Sequence, residues 1–199
     1  MKTKQQILLR KALHLSLIIP FGVFWYLSYV QSFSYSQEYA RWFLIVFVAV
    51  FLIYEYIRLD TKIWVPFGNL IKPKESNTNV DGLNLVLAAI VANSLFSPQI
   101  AVVSILIAII GDTFSTIGGI YGTIKVFPKT ENKTTWEGIF IALLANFFIA
   151  ASILGFSLFP LVLAIIGVVI ETYATRLDDN LAIPLGVGLV GEIILFITT

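Results

Sequence analysis

The chain has no cysteine and a single histidine, His14. The first absence excludes disulfides and thiolate metal sites, though it says little about compartment. The second excludes a zinc site built from several histidines. Any metal here should be a hard ion held by oxygen, and Mg²⁺ fits best. Charge is also scarce: Asp, Glu, Lys and Arg supply 13% of the 199 residues, about half the fraction in a soluble domain. Net charge is +1, so no general basic character points to nucleic acid. Soluble nucleotide signatures are missing too, with no GxxxxGKS or GxxxxGKT and no kinase-type HRD or DFG.

What the chain has instead is apolar length. Hydrophobic residues make up 58% and mean hydropathy is +0.89. They come in runs near twenty long, enough to cross the hydrocarbon core. The expectation is an all-α, polytopic membrane helical bundle of about seven transmembrane helices, forming one domain over 1–199. The spans are expected at Ala12–Val30, Ala40–Leu59, Leu83–Phe96, Ile100–Tyr121, Trp136–Leu154, Leu158–Tyr173 and Leu181–Thr198. The third is short, as a tilted or partly buried helix would be. The first follows basic residues, as a signal peptide does, but no small-residue cleavage site follows it, so it is expected to be retained.

Twelve of the thirteen basic residues fall on one side of that arrangement, with Arg41 alone opposite. The positive-inside rule then places the N-terminus in the cytoplasm and the C-terminus outside, in a plasma membrane or endomembrane. The unusual polar residues gather on the same side, so function is expected to face the cytoplasm.

The segment Ile110–Gly138 is the centre of this pattern. Asp112 lies roughly 20 Å into an inward-running helix, at 1.5 Å per residue. An ionisable residue in a span is costly and marks a site by default. Gly111, Ser115, Gly118, Gly119 and Gly122 have the small-residue spacing that lets membrane helices pack closely. Beside Asp112 and Lys125, they are read here as a polar groove whose backbone amides approach phosphate oxygens. At Lys133–Gly138 a span begins: Thr134 or Thr135 caps it, and its N-terminus offers unpaired amides to an anion, with Lys133 alongside.

Other constellations are weaker alone. Arg10 and His14 share a helix face, with Lys11 between them. Glu55 and Arg58 stand three apart. Glu171 and the run Asp178-Asp179-Asn180 bracket a short turn, and the adjacent aspartates call for a cation. Glu192 lies mid-span and is unassigned; a structural hydrogen bond is expected, with Asn93 and Asn146 as conceivable partners.

These pieces, in order, resemble the CTP-dependent lipid-alcohol kinases: dolichol kinases, phytol kinases and the yeast-type CTP-using diacylglycerol kinase. The matching segments are RKALH (Arg10–His14), YEYIR (Tyr54–Arg58), Lys74-Glu75 with Gly82, GDTFSTIGGIYG (Gly111–Gly122), KTTWEG (Lys133–Gly138) and ETYATRLDDNLAIPL (Glu171–Leu185). The central pair also looks like the phosphatidate cytidylyltransferases. The ending DDNLAIPL is similar to the kinases instead. Thr134 departs from the family's usual serine but keeps a hydroxyl. The chain is also short beside eukaryotic dolichol kinases, as a minimal catalytic core would be.

The resemblance implies phosphoryl transfer from CTP to the hydroxyl of a membrane isoprenoid alcohol such as dolichol, polyprenol or phytol, with Mg²⁺. It implies that Asp112 holds the metal with Asp178 or Asp179. Lys125, Lys133, Thr134 and the amides around Gly118, Gly119 and Gly122 would hold the triphosphate. Arg10, Lys11 and Arg58 would complete the charge clamp, with Glu55 orienting Arg58. Asp112, Glu171 and His14 are the candidates for catalysis, and Lys74, Glu75, Glu137, Gly138 and Asn180 would support. The alternatives are a cytidylyltransferase making a CDP-lipid, a CTP-dependent diacylglycerol kinase, and a small transporter. The small-residue faces would permit a homodimer.

Overall fold

The structure is a computed structural model that describes residues 4–29, 36–60, 81–126, 135–173 and 177–198. The described residues form eight helices: α1 Lys4–Ser16, α2 Ile18–Tyr29, α3 Ser36–Asp60, α4 Asp81–Leu95, α5 Pro98–Tyr121, α6 Trp136–Leu154, α7 Leu158–Tyr173 and α8 Asp179–Thr198. There is no β-strand among them. A lone antiparallel bridge, Lys125 with Thr135, is the sole extended pairing described.

Four segments are long and apolar enough to cross a membrane: Lys4–Leu27, Pro98–Tyr121, Trp136–Leu154 and Asp179–Thr198. Three shorter apolar stretches, Ile45–Tyr54, Leu83–Leu95 and Leu158–Tyr173, fall within the remaining expected spans. The expected sites for spans are therefore all helical, and four of them have full spanning length.

The chain divides into two compact units, Met1–Leu83 and Asn84–Thr199. In the first, the polar α1 runs into the apolar α2 with a break at Leu17. Pro20 has no N–H to give the carbonyl of Ser16 four residues earlier, so the ladder is interrupted there. Leu17 N–H turns back to the His14 carbonyl at 3.1 Å instead. Along α3, Phe43, Phe47 and Phe51 recur every four residues and stack on one face, with ring centroids 6.2 and 6.5 Å apart. Phe21 of α2 meets Phe47 edge-on at 6.3 Å.

The second unit is built around α5. Of its apolar window, 56% is buried, against 28% in α6 and 28% in α8. Ile100, Val103, Ile107 and Ile109 of α5 pack with Ala142, Ala150, Leu163, Ala164, Ile183 and Val187 of the other helices in a dry core. Buried hydroxyls do not break it. Ser104, Thr113 and Thr172 each bond a carbonyl of their own helix at 2.8 or 2.9 Å, the usual solution where water is excluded.

Glycines set how closely these helices approach. A Cβ on Gly118 would lie 2.6 Å from Gly138 Cα, so α5 and α6 cross backbone on backbone. Gly167 of α7 faces Ile107, and Gly191 of α8 faces Ile100. Gly155, between α6 and α7, has φ +84, which is open to glycine without strain.

Candidate functional site

The two central motif segments meet at the end of α5 and the start of α6. Thr135 is the N-cap of α6 and is 4% exposed. Its hydroxyl accepts from Gly138 N–H at 3.1 Å, and its carbonyl accepts from Ile139 N–H at 3.0 Å. Trp136 N–H donates to the Ile124 carbonyl at 2.9 Å, closing the bridge between Lys125 and Thr135. Glu137 reaches across to the chain leaving α5. Its Oε1 accepts from Thr123 N–H at 2.8 Å, from Thr123 Oγ1 at 3.0 Å and from Ile124 N–H at 3.3 Å.

Two expectations are corrected by this geometry. The start of α6 does not offer a row of open amides to an anion, because those of Trp136, Gly138 and Ile139 have acceptors within the fold. Nor do the glycines line an open groove in this arrangement. Gly118 is filled by Gly138, and Gly122 abuts Thr135 and Glu137. Gly118 and Gly119 lie within α5, where their amides belong to the helix ladder, and Gly122 N–H donates to the Gly118 carbonyl at 2.7 Å. Packing at a small-residue crossing has claimed these positions.

A carboxylate layer lies deeper. Ile100 and Asp112 are separated by as many residues as Asp179 and Gly191, and Gly191 meets Ile100. The antiparallel helices α5 and α8 therefore carry Asp112 and Asp179 at one height, within about a turn of each other. The parallel pair α5 and α7 meets at Ile107 and Gly167, so one turn on, Glu171 is level with Gly111. All three acids are half-buried. Among the described residues, no three His, Asp or Glu side chains gather as a metal-holding group. Asp178 caps α8: its Oδ1 accepts from Asn180 N–H at 3.0 Å, and its backbone carbonyl accepts from Leu181 and Ala182. Asn180 is itself buried. Pro184 has no N–H to give the Asn180 carbonyl.

The remaining candidates belong to the first unit or lie outside the described residues. Arg10 and His14 are half-buried on α1, whereas Lys11 is 5% exposed. Glu55 and Arg58 lie on α3, their side chains outside the described set, as are Lys74, Glu75, Lys133 and Thr134 altogether.

The structural hydrogen bond expected of Glu192 is present, but its partner differs: Glu192 accepts from Ser97 N–H at 2.8 Å, at the start of α5, and not from Asn93 or Asn146. Asn146 is 1% exposed, and neither of its amide polar atoms has a hydrogen-bond partner among the described residues. It packs over Gly111, where a Cβ would lie 2.9 Å from its amide, and beside Gly167. The Glu192 contact ends on a backbone amide, which leaves no residue-type signal to read in a sequence.

No protein-family model, curated protein or solved structure matches the chain.

Proposed function

We propose that the chain is a lipid-alcohol kinase that transfers the γ-phosphate of CTP to the hydroxyl of a membrane isoprenoid alcohol. In this proposal all seven apolar segments cross the bilayer, the N-terminus is cytoplasmic and the reaction takes place at the cytoplasmic face. One observation carries it beyond the motif resemblance. The two central motif segments, Gly111–Gly122 and the described part of Lys133–Gly138, are joined by the Gly118–Gly138 crossing and by the hydrogen bonds of Glu137. Exposed Lys125 stands at that junction. Asp112 lies on the same helix, below it in the bundle.

Phosphoryl transfer depends mostly on positioning and on neutralising charge. Lys125 supplies a cation just past the end of α5, and the resemblance adds Lys133. No resident cage of three acids occurs among the described residues. What suits the donor set is Mg²⁺ arriving with the triphosphate as part of the substrate, which needs only one or two protein carboxylates. Asp112 is the first of these and Asp178 or Asp179 the second. The lipid tail stays among the apolar helices, and its hydroxyl meets the nucleotide at the interface. Asp112, Glu171 and His14 remain the candidates to receive its proton.

The test is turnover by purified protein in detergent with Mg²⁺, γ-labelled CTP and a panel of lipid alcohols. Labelled lipid monophosphate is expected from the wild type. Asp112→Asn should lose it while keeping the wild-type unfolding temperature. Near-wild-type turnover by Asp112→Asn would remove Asp112 from the chemistry.

A further inference from the structure

The amides of Trp136, Gly138 and Ile139 at the head of α6 are taken within the fold, and Glu137 closes the adjoining turn. Its negative charge is spent on neutral donors: Thr123 N–H and hydroxyl, and Ile124 N–H. Those donors belong to the two residues immediately before Lys125. On the far side of Lys125 its bridge partner is Thr135, two residues before Glu137 itself. The chain at Lys125 is thus held from both directions. The carboxylate takes the strand coming out of α5, and the Trp136–Ile124 hydrogen bond ties that strand to the head of α6.

Gly122 is required by the same arrangement, since a Cβ there would lie 2.8 Å from Thr135 Cβ and 2.9 Å from Glu137 Oε2. Ordering a residue's backbone costs free energy apart from its side chain. A backbone already fixed beneath Lys125 leaves only the side chain to be ordered when an anion binds.

We infer that Glu137 is a positioning residue: it clasps the end of α5 to the head of α6 so that Lys125 is presented to the nucleotide phosphates from a rigid base, without touching the nucleotide itself. This rests on the kinase assignment for its ligand, but the clasp can be measured without turnover.

The absence of native cysteine gives a clean background for the first arm. Facing residues of an antiparallel bridge have Cα atoms about 4.5–5.5 Å apart, within disulfide reach. A Lys125→Cys/Thr135→Cys double variant should therefore oxidise rapidly. Adding Glu137→Ala should slow this about tenfold, the loss expected for one hydrogen bond to a charged acceptor. Adding Glu137→Gln, which keeps an acceptor oxygen, should slow it much less. Gly122→Ala should imitate Glu137→Ala. Equal oxidation rates with and without Glu137 would overturn the clasp.

The second arm keeps Thr135 and measures nucleotide KM in a double-mutant cycle. Glu137→Ala should raise the KM for CTP about tenfold with Lys125 present and leave it unchanged once Lys125 is alanine. An equal effect in both backgrounds would show that Glu137 does not act through Lys125. Glu137-dependent crosslinking in a protein that phosphorylates no lipid alcohol would uphold the clasp and refute the kinase assignment alone.

Discussion

The two ends of α5 are held in the same way for different ends. At its start, Glu192 of α8 takes the Ser97 amide. At its finish, Glu137 of α6 takes the Thr123 and Ile124 amides. A carboxylate beside the start of α5 sits at the favourable pole of that helix dipole, and Glu137, in the first turn of α6, does the same for its own helix. Around Ser97 the connection is minimal. α4 ends at Leu95, Pro98 opens α5, and no charged residue of the linker faces outward. At the other end the chain leaves the helix carrying Lys125 and continues toward further lysines. One glutamate fastens a corner; the other fastens a corner that presents a charge. The difference teaches that a buried or half-buried acid in a membrane protein need not be chemical. What matters is what its amide partners carry next.

That comparison can be pressed at three strengths. The largest effect is expected at the α5–α6 crossing on which the second clasp depends. Gly118→Val places a side chain where Gly138 backbone already stands, 2.6 Å from the new Cβ. Neither helix can yield cheaply, and a loss of about 3 kcal/mol or more is expected at such overpacking. Thermal unfolding in detergent should show it, and an unchanged transition would mean that the crossing is looser than described. Next is Glu192→Ala, which removes a part-buried charge-assisted hydrogen bond worth about 1.5 kcal/mol. It should lower the unfolding temperature and leave the KM for CTP alone, in contrast to Glu137→Ala. A KM shift from Glu192→Ala would erase the distinction between the two ends. The smallest effect belongs to Glu137→Gln, which should retain most of the clasp.

Much of the architecture was legible because it follows from hydropathy. The expected spans from Trp136–Leu154 and Leu158–Tyr173 coincide with α6 and α7, and those of α4, α5 and α8 fall within a few residues. The first span hid its break because Pro20 lies within an unbroken apolar run, and only the missing hydrogen bond reveals it.

The site was less legible, for a physical reason. Glycines at small-residue spacing serve close packing and close phosphate approach equally well, so Gly118 and Gly122 carried both meanings until their neighbours were known. Thr135 was recognised as one of two caps because a hydroxyl before a helix has few other uses. That the cap and its neighbours consume the helix amides depends on Ile124, whose backbone no motif records. Asn146 is the converse: a polar residue flagged for pairing that pairs with nothing described and packs instead between two glycines.

The most direct measurement uses CTP carrying distinct labels on its α and γ phosphates, supplied with Mg²⁺, polyprenol and phosphatidate to the purified protein. The account predicts γ label alone in a polyprenyl monophosphate, with the α label leaving in CDP. Appearance of α label in the lipid fraction, with γ label released in pyrophosphate, would contradict it.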